Sequence, residues 1–333
     1  MKREAFMGKL VPWILLVALG IVLLFVPHVT TIANMTMVSR IMIFAVYAMA
    51  YDILRGYTGV IHLGFALFIG GGSYFVGILF VHLGVNIPIL LLAVVGTVIY
   101  GIIWALIVGK ITAKSGLIAT AMITMAFAEI MRNAMERWRD ITNGLDGMTF
   151  RVPAPFDNRV HMYYASFIFL IVMAYILHKF TTSPTGRVWQ AIRENEQRAI
   201  FLGYDTNRAR TIALAVAGIA GGLAGIMFAL LSRFVNTDLF AMQMTYNAML
   251  YSLVGGTGTL FGAIVGSTVV ILFQNFLLDL RSVHVIFERW LLFFGSLYIV
   301  VVIFMPKGIM GYIYQWMEDR AYKLQLAKKA EKP

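Results

Sequence analysis

Residues 87–109 read IPILLLAVVGTVIYGIIWALIVG, an apolar run without a single charged side chain. A bilayer's hydrocarbon core needs about 20 such residues in helical form, and water offers no folded state that would leave so long a run uncovered. The composition of the other residues agrees. Of 333 residues 60% are hydrophobic and only 13% charged, where a soluble domain carries about a quarter charged. Mean hydropathy is +0.81. Nine further stretches have the same character, so the expected spans are 10–27, 37–54, 61–82, 87–109, 115–131, 161–180, 209–231, 240–255, 259–280 and 288–305. Glycine clusters or polar residues interrupt the second, third, eighth and ninth. The fold class that follows is an all-α polytopic membrane protein of about ten transmembrane helices, with interrupted spans and a possible internal repeat. Residues 1–310 make the membrane domain and 311–333 a polar tail.

The 27 Lys and Arg exceed the 16 Asp and Glu by 11. Such an excess suggests nucleic acid until its distribution is considered. Threading ten spans from a cytoplasmic amino end puts 18 of the 27 basic residues inside and 9 outside, which is the asymmetry of the positive-inside rule. Membrane orientation accounts for the basic balance, and no nucleic-acid partner is implied. Both termini are then cytoplasmic. The first span follows Lys2, Arg3 and Lys9 like a signal peptide, but no small-x-small cleavage site follows Pro27, so it reads as an uncleaved anchor. There is no cysteine, which excludes disulfides, zinc-thiolate sites and cysteine nucleophiles.

Two hydrophilic excursions remain. Residues 132–160, outside in this threading, carry Trp138, Pro153 and Pro155 and read either as a solvated connector or as a docking surface for an outside partner. Residues 181–208 contain a helix with its own signals: Ser183 as N-cap, Pro184 at the first helical position and Gly203 after the last turn. Val188, Ile192, Ala199 and Leu202 recur at helical spacing, and Glu194 and Arg198 are placed for an i,i+4 ion pair. The mixed charge of its polar face favours a cytoplasmic partner over the membrane surface.

The strings Ser183-Pro184-Thr185-Gly186-Arg187, Ala191-Ile192-Arg193-Glu194-Asn195-Glu196 and Gly203-Tyr204 resemble the permease subunits of branched-chain amino acid ABC importers. Gly56-Tyr57-Thr58-Gly59 with Leu63-Gly64-Phe65, Ala126-Phe127-Ala128-Glu129-Ile130, the run Leu253 to Gly262 and Phe304-Met305-Pro306-Lys307-Gly308 follow in the same family order, over roughly residues 40 to 310. The importer pattern Glu-Ala-Ala-x-x-x-Gly departs to Gln197-Arg198-Ala199-Ile200-Phe201-Leu202-Gly203, in which only the last alanine and the glycine match. The resemblance implies a bacterial inner-membrane subunit that works with a second homologous permease, two cytoplasmic ATPases and a periplasmic solute-binding protein. It also makes residues 183–203 the coupling helix, with Arg193, Glu194, Asn195, Glu196 and Gly203 serving the ATPase. Leucine, isoleucine and valine are the family's usual solutes; urea, short amides and aromatic acids are carried by relatives.

Gly255 to Gly262 lacks the Gly-Lys-Ser/Thr of a phosphate-binding loop. No cofactor is therefore expected in this chain, and ATP and magnesium belong to the partner ATPases. Gly56-x-Thr58-Gly59 and Gly255-x-Thr257-Gly258 instead form a pair of interruptions in the two halves, a pointer to a transport path because unwound backbone can line a polar cavity but not face lipid. Thr58, Gly59, Thr257 and Gly258 are the path candidates, with Gln243 and Asn247 as wall residues; Gln274 and Asn275 have the same character. The alternative to close helix approach through Ala217, Gly218, Gly221, Gly222 and Gly225 is weak, and these read as packing ridges. Asp52 is expected to pair with Arg55, and Glu129 with Arg132 and Asn133. The six histidines have no metal-ligand spacing, and no catalytic constellation appears. An ATP-independent secondary transporter or channel is the alternative function; it would need a coupling-ion site that no mid-span acid supplies.

Overall fold

The computed structural model describes residues 30–113 and 115–280, together with position 27 and scattered positions between 293 and 315. The expected spans 10–27 and 288–305, and with them the amino-terminal anchor, fall almost wholly outside the described residues. The elements are α1 (Ile32–Asp52), α2 (Ala66–Leu83), α3 (Ile87–Thr112), α4 (Leu117–Arg137), β1 (Met148–Thr149), α5 (Arg159–Thr182), α6 (Pro184–Glu194), α7 (Glu196–Phe201), α8 (Thr206–Ser232), β2 (Phe234–Val235), α9 (Met242–Gly255) and α10 (Gly262–Leu280). The chain is an all-α polytopic membrane protein. Six helices among the described residues are long and apolar enough to cross a membrane: α1 with its extension to Tyr57, then α2, α3, α4, α5 and α8. Helix α9 has 14 residues, too few to cross a bilayer by itself.

Helix α1 is the hub. Residues 41 to 54 are buried without a break, because α5, α8, α9 and α10 all pack around it. A helix apolar on every side belongs either in such a core or against lipid. Its aromatic residues hold the neighbours at defined distances: Phe44 meets Phe228 of α8 at 5.3 Å between ring centroids, and Tyr47 stacks on Phe65 at 5.0 Å. By contrast α3 and α4 turn Leu91, Ile99, Ile103, Ile118 and Met122 outward, as lipid-facing helices do.

Between helices surrounded by lipid tails the hydrophobic effect gives little, so close van der Waals packing has to hold them. The small-residue ridges of α8 supply it. Gly222 lies against Thr97 of α3 and, on its other side, the backbone of Gly72 in α2; a Cβ on Gly72 would sit 2.9 Å from Cα of Gly222. Ser73 fastens the same crossing by donating to the Gly225 carbonyl at 2.9 Å. The spacing leaves packing within the chain or against a second permease open; these contacts are within the chain.

At one end of the bundle residues 139–160 form a folded cap. Strand β1 pairs antiparallel with β2, Met148 opposite Val235. Arg233 bonds Asp157 at 3.0 Å, and His82 shares a hydrogen bond with the Ile141 carbonyl at 3.0 Å. Within α4, Glu129 meets Arg132 at 3.4 Å and Asn133 at 3.2 Å, the local pairing its spacing suggested.

The backbone contact between α2 and α8 is testable. Gly72→Val is expected to destabilise the purified full chain by about 3 kcal/mol through overpacking. Leu92→Ala, on a side chain 52% exposed, should stay within about 0.5 kcal/mol of wild type. Thermal unfolding in one detergent compares the two.

Candidate functional site

At the other end of the bundle α1 does not finish as an ordinary helix. Residues Ile53–Tyr57 wind into a π turn, with Thr58 N–H donating to the Ile53 carbonyl at 3.2 Å. Such wide turns free backbone groups from the helical ladder and often mark functional positions. Just before it stands Asp52, 1% exposed. A carboxylate removed from solvent costs several kcal/mol unless donors surround it.

The donors come from the last turn of α9 and from the second interruption, the turn between α9 and α10. Ser252 Oγ donates to Asp52 Oδ1 at 2.7 Å. The Gly258 N–H donates to both oxygens, at 2.9 and 3.1 Å, and the Leu260 N–H donates to Oδ2 at 3.2 Å. Glycine at 56 makes the approach feasible, since a Cβ there would lie 2.5 Å from the Gly258 nitrogen. Asp52 is therefore not paired with Arg55, as local spacing had suggested. Its oxygens are filled by residues distant in sequence, and Arg55 keeps a buried Nη1 without a hydrogen-bond partner among the described residues.

Arg193 ties this knot to the amphipathic segment. Leaving the last turn of α6, its guanidinium donates to the Gly56 carbonyl. The same group fills the space beside Gly258, where a Cβ would stand 2.6 Å from Nη1, and its aliphatic stem lies against Gly59, where a Cβ would stand 3.3 Å from Cγ. Gly258 has φ +80°, a left-handed conformation that, with the guanidinium alongside, only glycine fits without strain. One side chain thus touches both Gly-x-Thr-Gly interruptions.

The segment that carries Arg193 is two helices, a correction to the single helix the sequence suggested. Its outer caps are where they were expected: Ser183 Oγ accepts from Gly186 N–H at 3.2 Å, and Gly203 has φ +86°. Between them Asn195 leaves helical geometry, and its side chain caps α7 by accepting from Arg198 N–H at 2.9 Å. The break removes the i,i+4 relation of Glu194 to Arg198, and no ion pair joins them. Glu196 instead bonds Arg210 of α8 at 2.7 and 2.8 Å.

Burial also differs from the expected stripe. Ile192 and Ala199 are buried and Val188 is half-buried, but Leu202 is 69% exposed. Trp189 is the side chain that anchors α6, fully buried and donating from Nε1 to the Ala209 carbonyl at 2.9 Å. Large apolar side chains at Ile200, Phe201, Leu202 and Tyr204 remain uncovered, with Phe201 86% exposed. Exposed apolar clusters of this kind occur at surfaces that meet a protein or a membrane.

The remaining sequence candidates divide by position. Thr58 is buried and donates to the Leu54 carbonyl at 2.6 Å; Thr257 is half-buried in the turn before Gly258. Thr58, Gly59, Thr257, Gly258 and Arg193 therefore come together. Gln243 and Asn247 bond each other at 3.3 Å on the first turns of α9, at the end of that helix away from Gly255. Ser252 and Trp189 are site residues that motif reading missed, and Asp52 is one to which it gave a different partner. The signal for Asp52 was an acid four positions ahead of a glycine turn that has a counterpart elsewhere in the chain.

Residues 32–304 match the family model described as branched-chain amino acid transport system / permease component. The high-affinity branched-chain amino acid transport system permease protein LivM of Salmonella typhimurium is 21% identical over 325 residues, covering 89% of this chain and 74% of the relative. LivM of Escherichia coli K12 is likewise 21% identical over 337 residues, with the same coverage. The autoinducer 2 import system permease protein LsrC of Photorhabdus laumondii is 39% identical over 105 residues, 30% of this chain and 31% of the relative. No solved structure matches the chain. With a family model spanning the hub helix, both glycine interruptions and the capped segment between them, the chain belongs to the permease-component family of branched-chain amino acid transport systems.

Proposed function

We propose that this chain is the permease subunit of an ABC importer that moves branched-chain amino acids, or a related small amino acid, amide or urea-like solute, across the bacterial inner membrane. It works beside a second, homologous permease and receives solute from a periplasmic solute-binding protein. Two cytoplasmic ATPases hold the ATP and magnesium. The relatives named LivM and the family description support the solute class.

The observation that carries the reading is Arg193. Helix α6 is a lever capped at its start by Ser183 and anchored by Trp189, and its last turn places one charged side chain between the two interrupted spans. The uncovered Ile200, Phe201, Leu202 and Tyr204 give the adjoining α7 an apolar face of the sort that binds a partner groove. Closure of the ATPases would move α6 and α7, and Arg193 with Glu196 would pass the movement to the turns at Gly56–Gly59 and Gly256–Gly258 and to α8. Thr58, Gly59, Thr257 and Gly258 then border the inner gate of the path, and Gln243 and Asn247 contribute to its wall further along. In this orientation residues 183–205 face the cytoplasm, the 139–160 cap faces the periplasm, and both termini are cytoplasmic.

Two measurements test this. In proteoliposomes containing all subunits, Arg193→Ala should reduce uptake by about tenfold or more, the worth of a charge-assisted hydrogen bond, while basal ATP hydrolysis continues. Equal losses of uptake and hydrolysis would remove Arg193 from the transmission. Phe201→Ser combined with Leu202→Ser should weaken binding of the ATPase to the purified permease by about 2 kcal/mol; unchanged binding would move the docking surface elsewhere.

A further inference from the structure

Helix α1 carries one charge that the knot does not use. Arg40 stands eight residues after Ile32, the start of the helix, which places it about 12 Å along the span. The residues after it are buried from Ile41 to Leu54, but Arg40 itself is exposed. Its guanidinium lies over the ring of Phe44, 5.7 Å from the centroid. Among the described residues it makes no ion pair; the bridges there join Arg132, Arg210 and Arg233 to their acids. The acid of α1, Asp52, is 12 residues further on and has its oxygens filled by Ser252, Gly258 and Leu260. Helix α9 contains no acid at all. A cation at this depth is costly against lipid, and such residues mark solute pathways or meet a partner of opposite charge.

The surface beside Arg40 is polar as well. Phe44 meets Tyr251 of α9 at 6.1 Å between ring centroids, and the charge of Arg40 acts on Tyr251. One and two turns before Tyr251, on the same face of α9, stand Asn247 and Gln243, which bond each other at 3.3 Å. Gln243 is exposed, and Tyr246 next to Asn247 is 44% exposed. Amide and hydroxyl groups turned to lipid would lack partners. Since α1 and α9 pack together, the cation and the polar stripe adjoin. They make a positive surface with both donors and acceptors and no carboxylate among its described residues. A carboxylate is the group that completes it.

We infer that Arg40 is a specificity-determining residue of the transport path, taking the carboxylate of the passing solute while the Gln243 and Asn247 amides serve its other polar atoms. The inference rests on the importer reading given above and narrows its solute class. A guanidinium pairs with a carboxylate through two parallel hydrogen bonds. An amino acid or an aromatic acid therefore engages Arg40, whereas urea and neutral amides lack the negative charge it needs. The ring of Phe44 orients the guanidinium from one side by a cation–π contact and leaves the exposed side to the solute.

Uptake of leucine and of urea into proteoliposomes containing all subunits tests the inference, with Arg40→Gln and Arg40→Lys beside wild type. Wild type should import leucine, and Arg40→Gln should lose that uptake by about tenfold or more. Arg40→Lys, which keeps the charge but not the fork, should fall between the two. Co-purification of the second permease and ATP hydrolysis stimulated by the solute-binding protein should be unchanged in both variants, which shows that the transporter is assembled. Phenylglyoxal, which modifies guanidinium groups that water reaches, supplies a readout apart from transport. It should modify Arg40 in wild type, and millimolar leucine should protect the residue where leucinamide, without a carboxylate, does not. Leucine uptake by Arg40→Gln at the wild-type rate, or equal protection by leucine and leucinamide, would overturn the inference. So would uptake of urea but not leucine by wild type. An Arg40 that phenylglyoxal never reaches would place it against lipid, and loss of the second permease from Arg40→Gln would assign it to the subunit interface; each overturns it too. Leucine uptake that persists after the ATPases are inactivated would refute the importer reading alone, and the Arg40→Gln comparison would still decide this one.

Discussion

A carboxylate in the interior of a membrane protein dictates what surrounds it. Asp52 is 1% exposed to solvent, and four donations from Ser252, Gly258 and Leu260 take the place of water. Two of the three donor groups are backbone amides, which are available only where a helix has been interrupted. The break between α9 and α10 is in this sense what a buried acid requires, and the π turn after Asp52 brings Gly56 to the same place. Neither interruption would be stable facing lipid, where every unpaired amide is costly. Packed against each other and against the carboxylate, they are satisfied.

The knot also explains why an arginine from outside the bundle can enter. Gly56, Gly59 and Gly258 leave room that side chains would fill, and the Gly56 carbonyl, freed from the helical ladder, accepts from the guanidinium. The site is therefore one object built from three places in the sequence: a buried acid on the hub helix, a glycine turn more than 200 residues later, and a cation on a capped amphipathic helix between them. Trp189 of α6 and the Glu196–Arg210 pair of α7 fasten that amphipathic segment to α8, so the segment has two attachments to the bundle and one uncovered apolar face.

What the sequence discloses is what is decided locally. The span at 87–109 is legible because contact with lipid forbids a charge anywhere along it, and the caps at Ser183, Pro184 and Gly203 are legible because each acts within four residues. Packing of Gly218, Gly221, Gly222 and Gly225 follows from spacing alone. The partner of Asp52 was not legible: the nearest cation, Arg55, is three residues away, whereas the real donors lie about 200 residues away and two of them are main-chain groups that no side-chain identity reveals. The break at Asn195 was hidden for a different reason. In a run of charged residues an asparagine looks like part of a solvated helical face, although it is also a residue that favours starting a new helix. Leu202 was misplaced by the same error, because helical periodicity was carried across that break.

The central claim is that α6 and the two glycine turns form one mechanical unit held by Arg193. A chain with no native cysteine allows spin labels at positions 187 and 257 in one sample and at 187 and 92 in another, each in the assembled transporter with and without a non-hydrolysable ATP analogue. Electron–electron distances from 187 to 257 should stay the same in both states while those from 187 to 92 shift, and Arg193→Ala should broaden the first pair. A change of the 187–257 distance on nucleotide binding, as large as that of 187–92, would mean that the helix slides past the turns and that Arg193 does not join them.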